Sequence, residues 1–143
     1  MSVPYGSVSF NPSIAWAAGE LTSTTSDLNH FFGALMRGRL LRPAQLDEMR
    51  TSFPDAFYGL GLEMFELPCA RLWGHTGGIF GYLTFAASTE DGGRQLTLSI
   101  NPWIEGDPGP ALLDLLLTAF CQPSPEASRA ATITPPPILN RRW

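Results

Sequence analysis

Between Tyr58 and Ile100 the chain abandons helical spacing and alternates large apolar residues with small or polar ones, stretch after stretch. Alternation with a period of two sends successive side chains to opposite faces, which is the signature of strands with one buried side. Tyr58-Gly59-Leu60-Gly61-Leu62-Glu63-Met64 places Leu60, Leu62 and Met64 on one face and two glycines opposite. A strand that something else approaches closely has this pattern. After Pro68 and Cys69, Arg71-Leu72-Trp73-Gly74-His75 reads as a second strand leading into Thr76-Gly77-Gly78, and Tyr82 to Ser88 as a third. Asp91-Gly92-Gly93 supplies the turn of a hairpin. In the fourth strand, Gln95 to Ile100, the pattern turns Leu96, Leu98 and Ile100 to the core and Gln95, Thr97 and Ser99 away from it.

Helical patterns flank this region. Thr24 and Asp27 have capping-box spacing, with Asp in place of Glu, so a helix is expected to start at Thr24. Leu28, Phe31, Phe32, Leu35 and Met36 then recur at the spacing of one continuous buried helix face. Gly38 ends that helix, and Pro43 opens a shorter one through Met49. A last helix, Pro110 to Phe120, is apolar almost all round and is expected to be well buried. Helices, an antiparallel meander of about four strands and a covering helix make an α+β layer rather than a parallel α/β sheet. Residues 1–19, rich in Pro, Gly and Ser, read as an extended lead-in, residues 20–121 as the folded part, and residues 122–143 as an unstructured tail.

Composition narrows the function. A chain of 143 residues with 44% apolar and 15% charged residues is an ordinary globular domain. Its net charge of -4 provides no basic surplus for phosphates, so nucleic acid is not an expected partner. No segment approaches the ~20 apolar residues of a membrane span. Residues 1–10 lack the basic start and apolar stretch of a signal peptide. The two histidines, His30 and His75, fall in different elements, and no metal site or cofactor is expected. Cys69 and Cys121 are far apart, in no metal-ligand spacing; read by themselves they are two buried thiols. All nine basic residues are Arg.

Three stretches, in this order, resemble the serine β-lactamases of class C and the related penicillin-binding D-alanyl-D-alanine carboxypeptidases. Ala15-Trp16-Ala17-Ala18-Gly19-Glu20-Leu21-Thr22-Ser23-Thr24-Thr25-Ser26-Asp27-Leu28 is similar to the segment that opens a helix in that family. Tyr58-Gly59-Leu60-Gly61-Leu62 resembles its Tyr-Gly-Leu-Gly strand. Trp73-Gly74-His75-Thr76-Gly77-Gly78-Ile79-Phe80-Gly81-Tyr82 looks like its Lys/His-Thr-Gly strand and the turn after it. The resemblance implies a partial β-lactamase/transpeptidase-like fold and a set of site residues. His75 and Thr76 would hold a substrate carboxylate, Gly77 would leave clearance, and the Gly78 amide would form half an oxyanion hole. It also implies a disulfide between Cys69 and Cys121, and with it an oxidising compartment. Relatives in the family are exported, which the start of this chain does not itself announce.

The resemblance also marks what the chain lacks. The family acylates the Ser of Ser-x-x-Lys with help from a second motif, and this chain contains no Lys. Tyr5 is followed two residues later by Ser7, not Asn, and no Gly-x-Ser-x-Gly elbow is present. The sequence therefore predicts one wall of an active site without its nucleophile, inactive alone and exposing surfaces that other sequence would cover. The leading reading is a truncated serine-hydrolase homologue. The others are one half of a split enzyme whose N-terminal half is a separate chain, a non-catalytic module binding peptides or β-lactams, and a relic. The expected ligand is a small molecule or peptide with a carboxylate. β-Lactams, D-alanyl peptides, esters and amides remain open as substrates.

Overall fold

The computed structural model describes residues 11, 13, 15–53, 56–79, 82–100 and 109–122. A 3₁₀ turn, Trp16–Ala18, interrupts what the sequence suggested to be an extended lead-in. Helix α1 follows at Thr25–Met36 and α2 at Pro43–Met49. The strands are β1 Glu63–Leu67, β2 Ala70–Ile79, β3 Tyr82–Thr89 and β4 Gln95–Ile100, and α3 spans Gly109–Cys121. The four strands form one antiparallel sheet in sequence order, β1-β2-β3-β4. The expected tail, beyond residue 122, lies outside the described residues, as do residues 1–10 of the lead-in.

Local chemistry sets the helix ends. Thr24 is the N-cap of α1: its Oγ1 accepts the Asp27 N–H at 3.1 Å and its hydroxyl donates to the Asp27 carboxylate at 2.8 Å. Both orphan-donor satisfaction and a negative charge in the first turn favour this start. Past the last turn, Gly38 adopts φ +67° and the Arg39 N–H returns to the Ala34 carbonyl, a left-handed termination that glycine adopts without strain.

The sheet is covered on both faces, which gives two cores. Phe32, Leu35 and Met36 of α1 and Leu46 of α2 pack with Leu62, Trp73 and Ala86 on one face. Leu67, Leu72, Phe85 and Ala87 pack with Leu116 and Phe120 of α3 on the other. Burying a side chain such as Leu72 or Phe85 is worth about 1.5–3 kcal/mol, so the central pair β2–β3 anchors both layers.

Several expectations change once both faces are accounted for. Gln95 and Thr97, expected to face away from the core, face α1: Thr97 Oγ1 donates to Asn29 Oδ1 at 2.8 Å, and a Cβ on Gly33 would meet Gln95 at 3.0 Å. Ile100, expected in the core, is 37% exposed at the end of β4. Phe31 is exposed on α1, its ring edge-on to Phe32, because the sheet covers a narrower face of the helix than the apolar spacing suggests. On α3 only Leu116 and Phe120 are fully buried, while Leu113 and Leu115 are exposed, so this helix is covered along one side.

The segment Tyr58–Leu62 is a tight reversal instead of a strand. Gly61 takes φ +72°, the Gly59 N–H donates to the Leu62 carbonyl at 2.7 Å, and Tyr58 makes only an isolated bridge to Glu63. Leu60 is thereby exposed while Leu62 is buried. Gly59 is indeed closely approached, by the backbone carbonyl of Met49 at the end of α2.

Two devices fix the C-terminal end of α3. The Arg94 guanidinium, from the β3–β4 hairpin, donates to the carbonyls of Ala119 and Phe120, where the negative end of the helix dipole lies. Cys121 is joined to Cys69, in the β1–β2 turn, by a disulfide with Cα atoms 5.4 Å apart. With its ends 52 positions apart in sequence, the bridge is worth about 4 kcal/mol in the chain-entropy model. Reduction, or the double change Cys69→Ser with Cys121→Ser, is expected to lower unfolding stability by about 2–4 kcal/mol, read as a lower denaturant midpoint.

The hairpin turn carries a carboxylate held in its charged form. The Asp91 carboxylate accepts from the Thr89 hydroxyl and from the Gly93 N–H, and Arg37 lies nearby, which together hold its pKa below the ordinary 3.8. A carboxyl with a depressed folded-state pKa stabilises the fold above its unfolded pKa and loses that contribution as pH falls through the folded value. Asp91→Asn is therefore expected to cost stability at neutral pH and to flatten the fall in stability below pH 3.8, measured by denaturation at a series of pH values.

Candidate functional site

The site follows from a mismatch in strand length. β1 pairs with β2 from Leu67↔Ala70 to Glu63↔Gly74 and stops there, whereas β2 continues to Ile79. On its other side β2 stays paired with β3 as far as Ile79↔Tyr82. Among the described residues, 75–79 thus form an edge on one side while the sheet holds them rigidly on the other. In an antiparallel ladder the N–H and C=O of alternate residues point to the same edge. The Thr76 N–H points to the β1 side, where it donates to Glu63 Oε2 at 3.2 Å. The alternation turns the Gly78 N–H to that same side.

The sequence motif His75-Thr76-Gly77-Gly78 lies wholly within β2, so the glycines are strand residues and not a turn. His75 is half-buried and Thr76, Gly77 and Gly78 are exposed. A Cβ on Gly77 would meet nothing within 4 Å, which leaves an open, smooth surface at that position.

Side chains from three elements converge on this edge. Glu63 is opposite Gly74, so its side chain and that of Thr76 are diagonal neighbours on one sheet face. The Thr76 hydroxyl donates to Glu63 Oε1 at 2.7 Å. The His75 ring lies between Tyr58 and the strand backbone: its Nε2 is 2.9 Å from the Tyr58 hydroxyl and its Nδ1 contacts the Thr76 carbonyl. A carbonyl only accepts, so Nδ1 carries a hydrogen, and in the neutral ring Nε2 is then an acceptor for the Tyr58 O–H. Glu63 Oε1 is 3.6 Å from the same Nδ1. The Tyr58 and His75 rings meet edge-on with centroids 5.7 Å apart.

His75, Thr76, Gly77 and Gly78 therefore occur together on one edge, as four consecutive strand residues must. Cys69 and Cys121 are apart from them, at the β1–β2 turn and the end of α3, where they brace the sheet. His30 is exposed on α1, and Tyr5 and Ser7 lie outside the described residues. Two members of the cluster, Glu63 and Tyr58, were not singled out from sequence. The signal for Glu63 was available as a carboxylate inside an apolar alternation, but only strand register reveals that it reaches Thr76.

The beta-lactamase family model matches residues 2–119. The chain belongs to the beta-lactamase family. Solved structures agree. A D-stereospecific amidohydrolase from Streptomyces sp. is 41% identical, with a TM-score of 0.68, over 78% of this chain and 34% of its own. A D-amino acid amidase from Ochrobactrum anthropi SV3, in complex with D-phenylalanine, is 34% identical with a TM-score of 0.55, over 64% of this chain and 33% of its own. SurE, in complex with D-Leu, is 28% identical with a TM-score of 0.57, over 74% of this chain and 27% of its own. The chain thus spans about a third or less of the length of these relatives. The four-stranded antiparallel sheet with its helices is a partial β-lactamase-like fold.

The edge depends on how closely β2 and β3 approach at Gly74. A Cβ there would fall on the Ala86 carbonyl and within 2.6 Å of Ala87 Cα. These are backbone atoms of β3, which cannot yield as a flexible side chain would. Gly74→Ala is expected to destabilise the chain by about 1–3 kcal/mol, seen as a lower denaturant midpoint, and to shift the amide resonances of Thr76 and Gly78.

Proposed function

We propose that β2 is the substrate-binding wall of a serine hydrolase that cleaves amides of small D-configured amino acids. The observation that carries this reading is the free edge of residues 75–79, with the Thr76 and Gly78 amides on one side and clear space over Gly77. A substrate extended along that edge would place its scissile carbonyl oxygen against the Gly78 N–H. There it would gain one of the two donors an oxyanion needs; such a donor is worth about 10²–10³ in rate because it is already oriented when charge develops. His75 and Thr76 would contact the polar group flanking the scissile bond, and Tyr58 would hold the His75 ring in place.

The choice of D-amino-acid amides over β-lactams or D-alanyl peptides draws on the relatives, whose names include a D-stereospecific amidohydrolase and a D-amino acid amidase. The chain has no Lys, so the Ser-x-x-Lys of acyl transfer must come from sequence outside it. This chain then supplies binding and half the oxyanion hole, and the bond-breaking nucleophile belongs to the remainder of an assembled enzyme.

The test grafts this chain in place of the matching third of the Streptomyces amidohydrolase. The expected result is a folded chimera that hydrolyses D-amino acid amides. Within it, Gly78→Pro, which removes the edge N–H while leaving the β2–β3 ladder its bonds but also fixes φ and adds a ring, should lower kcat by at least about 10²–10³-fold. Gly77→Ala should leave the melting temperature unchanged while raising KM. A folded chimera without turnover, or one indifferent to Gly78→Pro, refutes the assignment.

A further inference from the structure

The donors that would receive a carboxylate at this edge are already engaged. Thr76 offers two, its hydroxyl and its N–H, and both donate to Glu63, at 2.7 Å and 3.2 Å. His75 offers one in its neutral form, the Nδ1 hydrogen, and it is directed to the Thr76 carbonyl. The other ring nitrogen accepts from Tyr58. What the edge presents in their place is a carboxylate. Glu63 has about four acceptor positions on its two oxygens, and Thr76 fills two of them. Its side chain retains 22% of its exposure, so a ligand donor can reach it. Arg71 of β2 is bonded to Glu66 at the opposite end of β1 and does not offset this charge; the His75 ring, its Nδ1 3.6 Å from Glu63 Oε1, offsets it only when protonated.

We propose that Glu63 sets the charge of the ligand accepted at the Thr76–Gly78 edge, so that the group bound beside the scissile carbonyl is an ammonium and not a carboxylate. An ammonium donates to the open acceptor positions of Glu63 and is attracted by its charge. A carboxylate meets like charge and must first displace Glu63 from both Thr76 donors, leaving a strand-edge amide and a hydroxyl to be satisfied again. The substrate class this selects is the α-amino amide with a free amine, and it disfavours peptides read through a terminal carboxylate. This inference rests on the reading of β2 as the substrate wall.

The experiment titrates the purified, disulfide-bonded chain with three probes and follows its amide resonances by NMR. D-phenylalanine amide carries an ammonium and no carboxylate, N-acetyl-D-phenylalanine a carboxylate and no ammonium, and N-acetyl-D-phenylalanine amide neither. The expected result is that the ammonium probe moves the Thr76, Gly77 and Gly78 resonances with a Kd about tenfold below that of the carboxylate probe, the size of one hydrogen bond to a charged group. The neutral probe should fall between them. Raising ionic strength should narrow the gap. Glu63→Gln keeps the shape and acceptor oxygen but removes the charge, and should bring the three affinities together. A carboxylate probe that binds as tightly as the ammonium probe overturns the inference, as does a preference that survives Glu63→Gln. If that variant does not fold, the order of the three probes on the unaltered chain decides. Edge resonances that respond to no probe refute the substrate-wall reading itself, which separates that failure from a wrong charge preference.

Discussion

Everything at the site depends on β2 outrunning β1. Pairing between them ends at Glu63↔Gly74, while pairing between β2 and β3 continues to Ile79↔Tyr82. A strand bonded on one side and open on the other presents ordered donors and acceptors to whatever lies alongside, a geometry that proteins otherwise cover or blunt. The open stretch coincides with Thr76-Gly77-Gly78. Gly74 allows the close approach of β3 that holds the strand flat against its neighbour, and a Cβ at Gly77 would meet nothing within 4 Å. Rigidity behind the edge and access in front of it are requirements for positioning a reacting carbonyl.

The supporting layers explain why the edge holds its shape. Leu72 and Trp73 are adjacent in sequence and point to opposite faces, each into a separate core. β2 is thereby clamped between α1 and α2 on one side and α3 on the other. α3 is in turn fixed at its C-terminal end by Arg94 and by the Cys69–Cys121 bridge. The bridge starts in the turn that joins β1 to β2, so it restrains the strand pair whose unequal lengths create the edge. Its contribution belongs to the scaffold and not to the chemistry.

The electrostatic character of the edge is less evident from motif than from register. The Lys/His-Thr-Gly resemblance suggests donors waiting for a carboxylate. The bonding around Thr76 gives those donors to Glu63, and the geometry of the His75 ring is set by Tyr58 and by the strand's own carbonyl. One acidic residue at the first position of β1 thus takes up both donors of Thr76, which is the basis of the charge preference proposed above.

Much of this was legible in the residues themselves. Thr24, Asp27 and Gly38 mark α1, Pro43 opens α2, and the alternation from Gln95 to Ile100 defines β4, because caps, turns and period-two burial act within a few residues of one another. The family resemblance followed from ordered motifs, and it supplied the cysteine pairing and the proposal that His75 to Gly78 form a substrate edge. Other features were beyond a linear reading. Tyr58–Leu62 alternates like a strand but folds as a reversal against Met49, since Gly59 and Gly61 permit both and tertiary contact chooses. The polar side of β4 was read as facing away from the core because alternation identifies two faces without saying what covers each; α1 covers it. α3 has apolar residues all round, yet packing against the sheet buries only one side. The sequence by itself determined the helices and most of the strands, and the place of the His75–Gly78 stretch along the chain. Only the tertiary structure decided that Glu63 reaches Thr76, because a contact across 13 residues depends on strand register, which no local pattern specifies.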